Sequence, residues 1–465
     1  MANRDLLGKT RIDPAQPEFR ALFENLQGNI LKPHARDHAV LFFFRIKTGK
    51  TGAARSWIRA FAAKHVTSAR RQWNEARRLK RSGIPGRTFC GLLLSASGYR
   101  ALGVPLPPDP KFRAGMKRSG PRLKDPSPRS WDPGYRREIH GLVLLADNGQ
   151  KRLGHLATAV RKQTRAFAEV VAVERGRQWH NKANQVVEHF GYADGRSQPV
   201  FLRADFNEEA KKRDGIDLWD PSAPLRLVLV RDPNVHAPDA YGSYLVFRKL
   251  EQNVRAFRRR ARMMATKLTD DVDGTLAGAY MVGRFEDGTP VKLRPSPDPN
   301  AARAAASNRE ALNPRNNFIY AGDSKGSRCP FQAHIRAANP RNKGTRAQRI
   351  VRRGIPYGAR RTSPHGKGVF TDAPTRGVGL LFMCLQGSIA NQFERMQKRM
   401  NEQGGHPQDP VTGQGRRRAI PLWPASYDTP SRMRYPPRGT RAESLVRLRG
   451  GEYFFAPSLP FLTGF

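Results

Sequence analysis

Three short stretches carry residue types that could do chemistry together. His334 stands in Cys329-Pro-Phe-Gln-Ala-His334-Ile-Arg-Ala-Ala-Asn-Pro-Arg341, an apolar step that turns basic. A neutral imidazole can ligate a haem iron. Arg352 follows in Arg352-Arg-Gly-Ile-Pro-Tyr-Gly358, and Asp194 lies upstream in Gly191-Tyr-Ala-Asp194-Gly195. An arginine in a pocket can stabilise developing negative charge. A carboxylate there can carry a proton.

Each stretch also has an ordinary reading. His334 is one of 11 histidines, most of which in any protein are structural or exposed. Asp-Gly favours a tight turn. Arg352 and Arg353 face opposite ways on a strand, and both could be surface charges in a chain with 83 Lys+Arg. Context sharpens the chemical readings. Arg336 and Arg341 put cations beside His334, where haem propionates would need them. An iron-bound imidazole donates its second N–H to an acceptor, for which Glu394 is a candidate. Asp194 is flanked by His189, Phe190, Tyr192, Pro199, Val200 and Phe201. That setting predicts burial that sets its pKa.

The elements that must position these residues follow from hydrophobic periodicity. Apolar runs predict strands at 38–46, 88–95, 138–146 and 170–175. Helical spacing predicts helices over 54–65, with Trp57, Ile58, Phe61 and Ala62 on one side, and over 155–169. A polar boundary at 203–223 separates a second pass. Strands at 242–250, 348–353, 378–385 and 451–457 accompany helices at 251–268 and 389–400. Residues 104–137, 284–328 and 402–440 read as long loops. Both passes approximate β-α-β-β-α-β, the ferredoxin-like split unit. The expected fold is α+β: two ferredoxin-like domains, 1–210 and 211–465, each an antiparallel sheet covered by helices.

Composition adds an anomaly. The 465 residues carry 83 Lys+Arg against 39 Asp+Glu, formally +44. Such an excess attracts polyanions. The three cysteines form no metal-binding or disulfide pattern. No run approaches a membrane span and the N-terminus lacks a signal-like apolar segment, so a cytoplasmic protein is expected.

At this point the residues resemble the dye-decolourising peroxidases. Gly191-Tyr-Ala-Asp-Gly195 is similar to their GxxDG signature. Residues 329–341 are similar to their proximal-histidine segment, and Arg352–Gly358 to their distal-arginine segment. Leu26-Gln-Gly-Asn-Ile-Leu31, Tyr244–Gln252, Gly379–Met383 and Gly450–Pro457 extend the likeness over nearly the whole chain. The resemblance implies duplicated ferredoxin-like domains and one haem b held mainly by the C-terminal domain. It implies His334 as iron ligand, Asp194 as distal acid/base and Arg352 as distal arginine, with Arg336, Arg341 and Arg352 as cofactor-binding residues. The expected activity is peroxidation: hydrogen peroxide oxidising bulky organic electron donors such as dyes or phenolics in one-electron steps. Where the family often has an acidic residue after the 378–385 strand, this chain has Ser388. Trp57, Trp73, Trp131, Trp179, Trp219 and Trp423 are candidate electron relays.

Two other classes compete. A basic nucleic-acid or polyanion-binding protein would explain the charge and the Arg255–Arg262 helix, although no RRM, KH or zinc-finger signature is present. A haem-binding protein without peroxidase turnover would use His334 alone. A homo-oligomer is compatible with all three readings, and no membrane partner is expected.

Overall fold

In the computed structural model, residues 6–212, 215–237, 239–266, 274–298, 316–362, 370–401, 408–414, 420–421, 434–435 and 444–465 are described. The first unit begins with β1 (His38–Ile46), whose middle positions are buried on both faces. That burial explains the unbroken apolar run. It continues through α1 (Thr51–Lys64), α2 (Ala69–Ser82), β2 (Phe89–Ser95), β3 (Gly141–Asp147), α3 (Gln150–Thr164) and β4 (Ala168–Arg177). Its strands lie in the order β2-β3-β1-β4. The second unit holds β5 (Tyr241–Gln252), α4 (Val254–Ala265), α5 (His334–Ala338), β6 (Val351–Arg352), β7 (Ile355–Tyr357), β8 (Gly379–Gln386), α6 (Arg395–Met400) and β9 (Val446–Ala456). Its main strands lie in the order β9-β5-β8-β7.

The two sheets are joined at both edges. Phe454 and Phe455 of β9 pair with Ser95 and Leu94 of β2, and Tyr357 of β7 pairs with Gly176 of β4. With β5 paired to both β9 and β8, eight antiparallel strands close into one barrel. Closure leaves neither sheet an open edge at these strands. Glycine is required where the ring closes: a Cβ on Gly176 would stand 2.5 Å from the Ile355 side chain.

Elsewhere the structure departs from the sequence expectations. α2 lies outside them: Ala69, Trp73, Ala76 and Leu79 recur at helical spacing on one side, but of these only Ala69 is buried. Its ends are nonetheless marked, by Ser68 accepting from the Arg71 N–H and by Gly83 at φ +67°. Residues 104–137 are not a surface loop. They form short helices and bury Phe112, Met116, Leu123, Trp131 and Tyr135. α4 buries Val254, Phe257, Ala261 and Met264 as its spacing predicts. Of the other two expected loops, 299–315 and most of 402–440 lie outside the described residues. Among the described residues no helix is long and apolar enough to cross a membrane.

Candidate active site

One face of the second unit's sheet and the segments covering it enclose a cavity of about 270 Å³. Leu250 of β5 and Leu380 and Phe382 of β8 line it from the sheet. Ile335, Met396 and Val411 line it from the cover. These apolar surfaces form a slot into which polar residues project.

His334 opens α5 and lines this slot. Its Nδ1–H donates to Oδ2 of Asp409 at 2.7 Å. Asp409 is fully buried and also accepts from the Thr412 hydroxyl and the Val411 N–H, both at 2.7 Å. Burial disfavours the charged form of each partner, yet the pairing prevails. The His334 pKa is raised and that of Asp409 is lowered. Holding the proton on Nδ1 leaves Nε2 with the lone pair that a metal ligand needs.

The carboxylate beside His334 is therefore Asp409. Glu394, the sequence candidate, accepts from Ser119 at 2.5 Å and Tyr453 at 3.1 Å and does not line the cavity. Ser388 caps the helical segment that begins at Ile389. Asp409 is hidden in the sequence because it falls in a stretch with no periodicity, 75 positions from its partner.

Asp194 and Arg352 meet in the same cavity. One Arg352 Nη1–H donates to Asp194 Oδ1 at 3.0 Å, and its Nη2 donates to the Arg196 carbonyl at 2.6 Å. Gly195, at φ +73°, turns its N–H back onto the same Asp194 oxygen at 2.6 Å. Asp194 lines the cavity and 24% of its side chain is exposed, less burial than its apolar flanks predicted. Arg353 points the other way. Its guanidinium is buried and donates to the carbonyls of Asn29 and Ile30, at 2.7 and 3.0 Å. The strand alternation thus sends Arg352 to the cavity and Arg353 to the Leu26–Leu31 segment.

The two further arginines separate. Arg341 lines the cavity, with its guanidinium 3.8 Å from the Phe318 ring centre and donating to Ser197 at 2.8 Å. Arg336 does not reach it. It is buried, donates to Asp323 at 2.7 Å, and lies between the rings of Tyr320 and Phe331. The expected cofactor contact of Arg336 is corrected by this geometry: α5 turns it away from the slot.

Sequence reasoning also missed Glu188, Arg196 and Arg284, which line the cavity. Burial, with Arg341 nearby, lowers Arg284 to about 9. Burial raises Glu188 to about 7, although the Phe190 and Tyr192 N–H groups and Gln252 donate to it. Of the tryptophans, Trp219 lines the cavity, with the guanidinium groups of Arg341, Arg346 and Arg349 between 5.0 and 5.9 Å from its ring. Trp131 is buried, Trp57 stacks on Phe61, and Trp423 lies outside the described residues.

A carboxylate-oriented imidazole, an apolar slot and a crowd of arginines suit an iron porphyrin with its propionates. Comparison with known proteins agrees. The family model for the DyP dimeric alpha+beta barrel domain matches residues 25–178, and that for the Dyp-type peroxidase C-terminal region matches 302–412. Over 469 residues the chain is 37% identical to the multifunctional dye peroxidase of Amycolatopsis sp., covering 96% of this chain and 97% of that one. The chain belongs to the DyP-type peroxidases. The DyP-type peroxidase structure from Anabaena sp. superimposes with a TM-score of 0.87 at 38% identity, covering 100% of this chain and 99% of that one. A dye-decolorizing peroxidase of Mycetinis scorodonius is 30% identical over 94% of this chain and 86% of its own. As a DyP-type peroxidase the chain is a haem enzyme, and the barrel is the fold of that family. His334 and Asp409 both fall inside the matched C-terminal region, whereas Asp194 lies between the two matched regions.

Proposed function

We propose that the chain uses haem b to reduce hydrogen peroxide and oxidises bulky organic donors, dyes or phenolics, one electron at a time. The observation that carries this reading is the Asp194–Arg352 pair at 3.0 Å in the cavity that His334 lines. His334 would hold the iron through Nε2, with Asp409 fixing the proton on Nδ1. Arg341 and Arg284 would meet the propionates. Bound haem supplies the electrons that cleave the peroxide O–O bond.

The protein's own part is proton handling and charge stabilisation. Asp194 takes a proton from one peroxide oxygen and returns it to the other, which leaves as water. Arg352 steadies the negative charge that develops on the leaving oxygen. Its bonds to Asp194 and to the Arg196 carbonyl set its direction in advance, so little reorganisation is needed. The arginines that line the cavity, Arg196, Arg349 and Arg399 among them, favour anionic donors.

The test is spectroscopic and kinetic. Purified protein should show a haem Soret band that His334→Ala loses or shifts. Asp194→Ala should keep the band and lose peroxide turnover by about 10²–10⁴-fold. Full turnover in Asp194→Ala would take the proton-carrying role away from Asp194.

A further inference from the structure

The net charge of +44 is not accounted for by the cavity. A second concavity lies elsewhere, a groove of about 840 Å³ bounded by α2, the end of α1 and the C-terminal helix Leu459–Thr463. No residue lining it lines the haem cavity. Its cations are six arginines: Arg70, Arg71, Arg77, Arg78, Arg81 and Arg87. Its two carboxylates are engaged. Glu75 pairs with Arg71 at 3.3 Å and with Arg36 at 3.5 Å, and Glu24 faces Arg20 at 3.9 Å. Arg77, Arg78, Arg81 and Arg87 are exposed and have no carboxylate partner among the described residues.

Folding keeps these charges together at a cost. α2 carries five arginines and a lysine over fourteen residues and buries only Ala69. Like charges one turn apart repel. The capped ends and the stacking of Trp73 under Arg70 and Arg77, at 5.4 and 4.5 Å, hold the helix in place. A surface so charged and so little used by the core is arranged for an external anion.

We propose that this groove binds the sugar-phosphate backbone of nucleic acid. Three observations favour a phosphodiester chain. All six cations of the groove are arginine, whose planar fork matches a phosphate with two parallel N–H bonds. From Arg70 to Arg81 the helix runs about 16 Å, while a duplex carries one phosphate per about 1.7 Å of axis, so the row meets a high charge density. The surface is concave, which fits a strand better than a flat lipid bilayer. Binding here is independent of sequence, since no base-reading pattern accompanies the arginines. It would tether the peroxidase without occupying the haem cavity. The Arg255–Arg262 helix, basic in sequence, is a weaker candidate: Arg260 is buried and donates to the Pro410 carbonyl.

The test uses the haem-loaded full chain and a fluorescent DNA duplex of random sequence, titrated over a range of salt. Arg77→Glu, Arg78→Glu and Arg81→Glu together should weaken binding at least about tenfold and flatten the log Kd against log salt slope by roughly 2–3, since each phosphate left unneutralised removes about 0.9 from that slope. The Soret band and peroxide turnover should not change. The milder Arg77→Gln, Arg78→Gln, Arg81→Gln set serves if the reversal disturbs folding, with the same sign and a smaller effect. The control reverses Arg161, Lys162 and Arg165, exposed on and just after α3. An equal weakening in that control would mean diffuse attraction and would overturn the groove. Competition by poly-glutamate as strong as by DNA would overturn the phosphate assignment in favour of an acidic protein partner. Groove-dependent binding to phosphatidylserine vesicles with no groove-dependent DNA binding would overturn it in favour of a membrane surface.

Discussion

Asp409 Oδ2 lies 2.7 Å from His334 Nδ1, across a gap of 75 residues in the chain. The carboxylate is fully buried, and its other hydrogen-bond donors, Thr412 and Val411, come from its own turn. The turn thus holds an acceptor behind the imidazole. Asp409→Asn keeps the shape and removes the charge. Haem affinity or turnover should fall about 10–100-fold, and the haem reduction potential should rise because the imidazole becomes a poorer electron donor. Spectroelectrochemistry on the loaded variant checks this. An unchanged potential would separate Asp409 from the iron ligand.

Arg352 and Arg353 should separate activity from stability. Arg353→Ala strips the donors from the buried carbonyls of Asn29 and Ile30. Leaving such groups unpaired costs about 1–3 kcal/mol each. Denaturant unfolding should show that decrease, with turnover per folded molecule little changed. Arg352→Leu should do the reverse, lowering peroxide turnover with a small change in stability. Equal kinetic damage from both would contradict the opposite facing of the two side chains.

Much of this arrangement is legible in the sequence. Strand alternation alone says that adjacent arginines diverge, and β1 declares itself through an unbroken apolar run. Barrel closure is not legible, because the pairings of Phe454 with Ser95 and of Tyr357 with Gly176 are non-local and leave no local signature. Asp409 stays hidden for the same reason. α2 escapes because periodicity detects helices that bury a stripe, and this one buries a single alanine. Its serine and glycine ends, with the sparse spacing of Ala69, Trp73, Ala76 and Leu79, are the signals that could reveal it.

Glu188 predicts a pH dependence. Burial raises its carboxyl from 4.5 to about 7 in the folded protein. The folded state then holds a proton that the unfolded state releases near 4.5. Its stabilising contribution is complete below about pH 4.5 and is lost as pH rises through about 7. At about 1.4 kcal/mol per unit the total is about 3 kcal/mol. Glu188→Gln should therefore flatten the fall in stability between about pH 4.5 and 7, measured by unfolding at a series of pH values. The same substitution should move the pH profile of peroxide turnover, since Glu188 and Asp194 line one cavity. A stability curve identical to that of the parent would show that Glu188 titrates normally.

Arg336 and Arg341 both follow His334 closely in the chain, yet they make opposite predictions. Arg336 is buried against Asp323, whose side-chain exposure is 0%. Removing one member of a buried pair strands the other charge, at about 3–5 kcal/mol. Arg336→Met should therefore lower the unfolding midpoint sharply and leave the haem dissociation constant of the folded fraction nearly unchanged. Arg341 lines the cavity, and its guanidinium also donates to the Phe318 carbonyl at 2.9 Å. Arg341→Met should weaken haem retention, seen as faster transfer of haem to an apomyoglobin acceptor. It should also destabilise the apoprotein, by the lesser cost of an unpaired carbonyl, about 1–3 kcal/mol. Faster haem release from Arg336→Met than from Arg341→Met would reverse the assignment and return Arg336 to the cofactor.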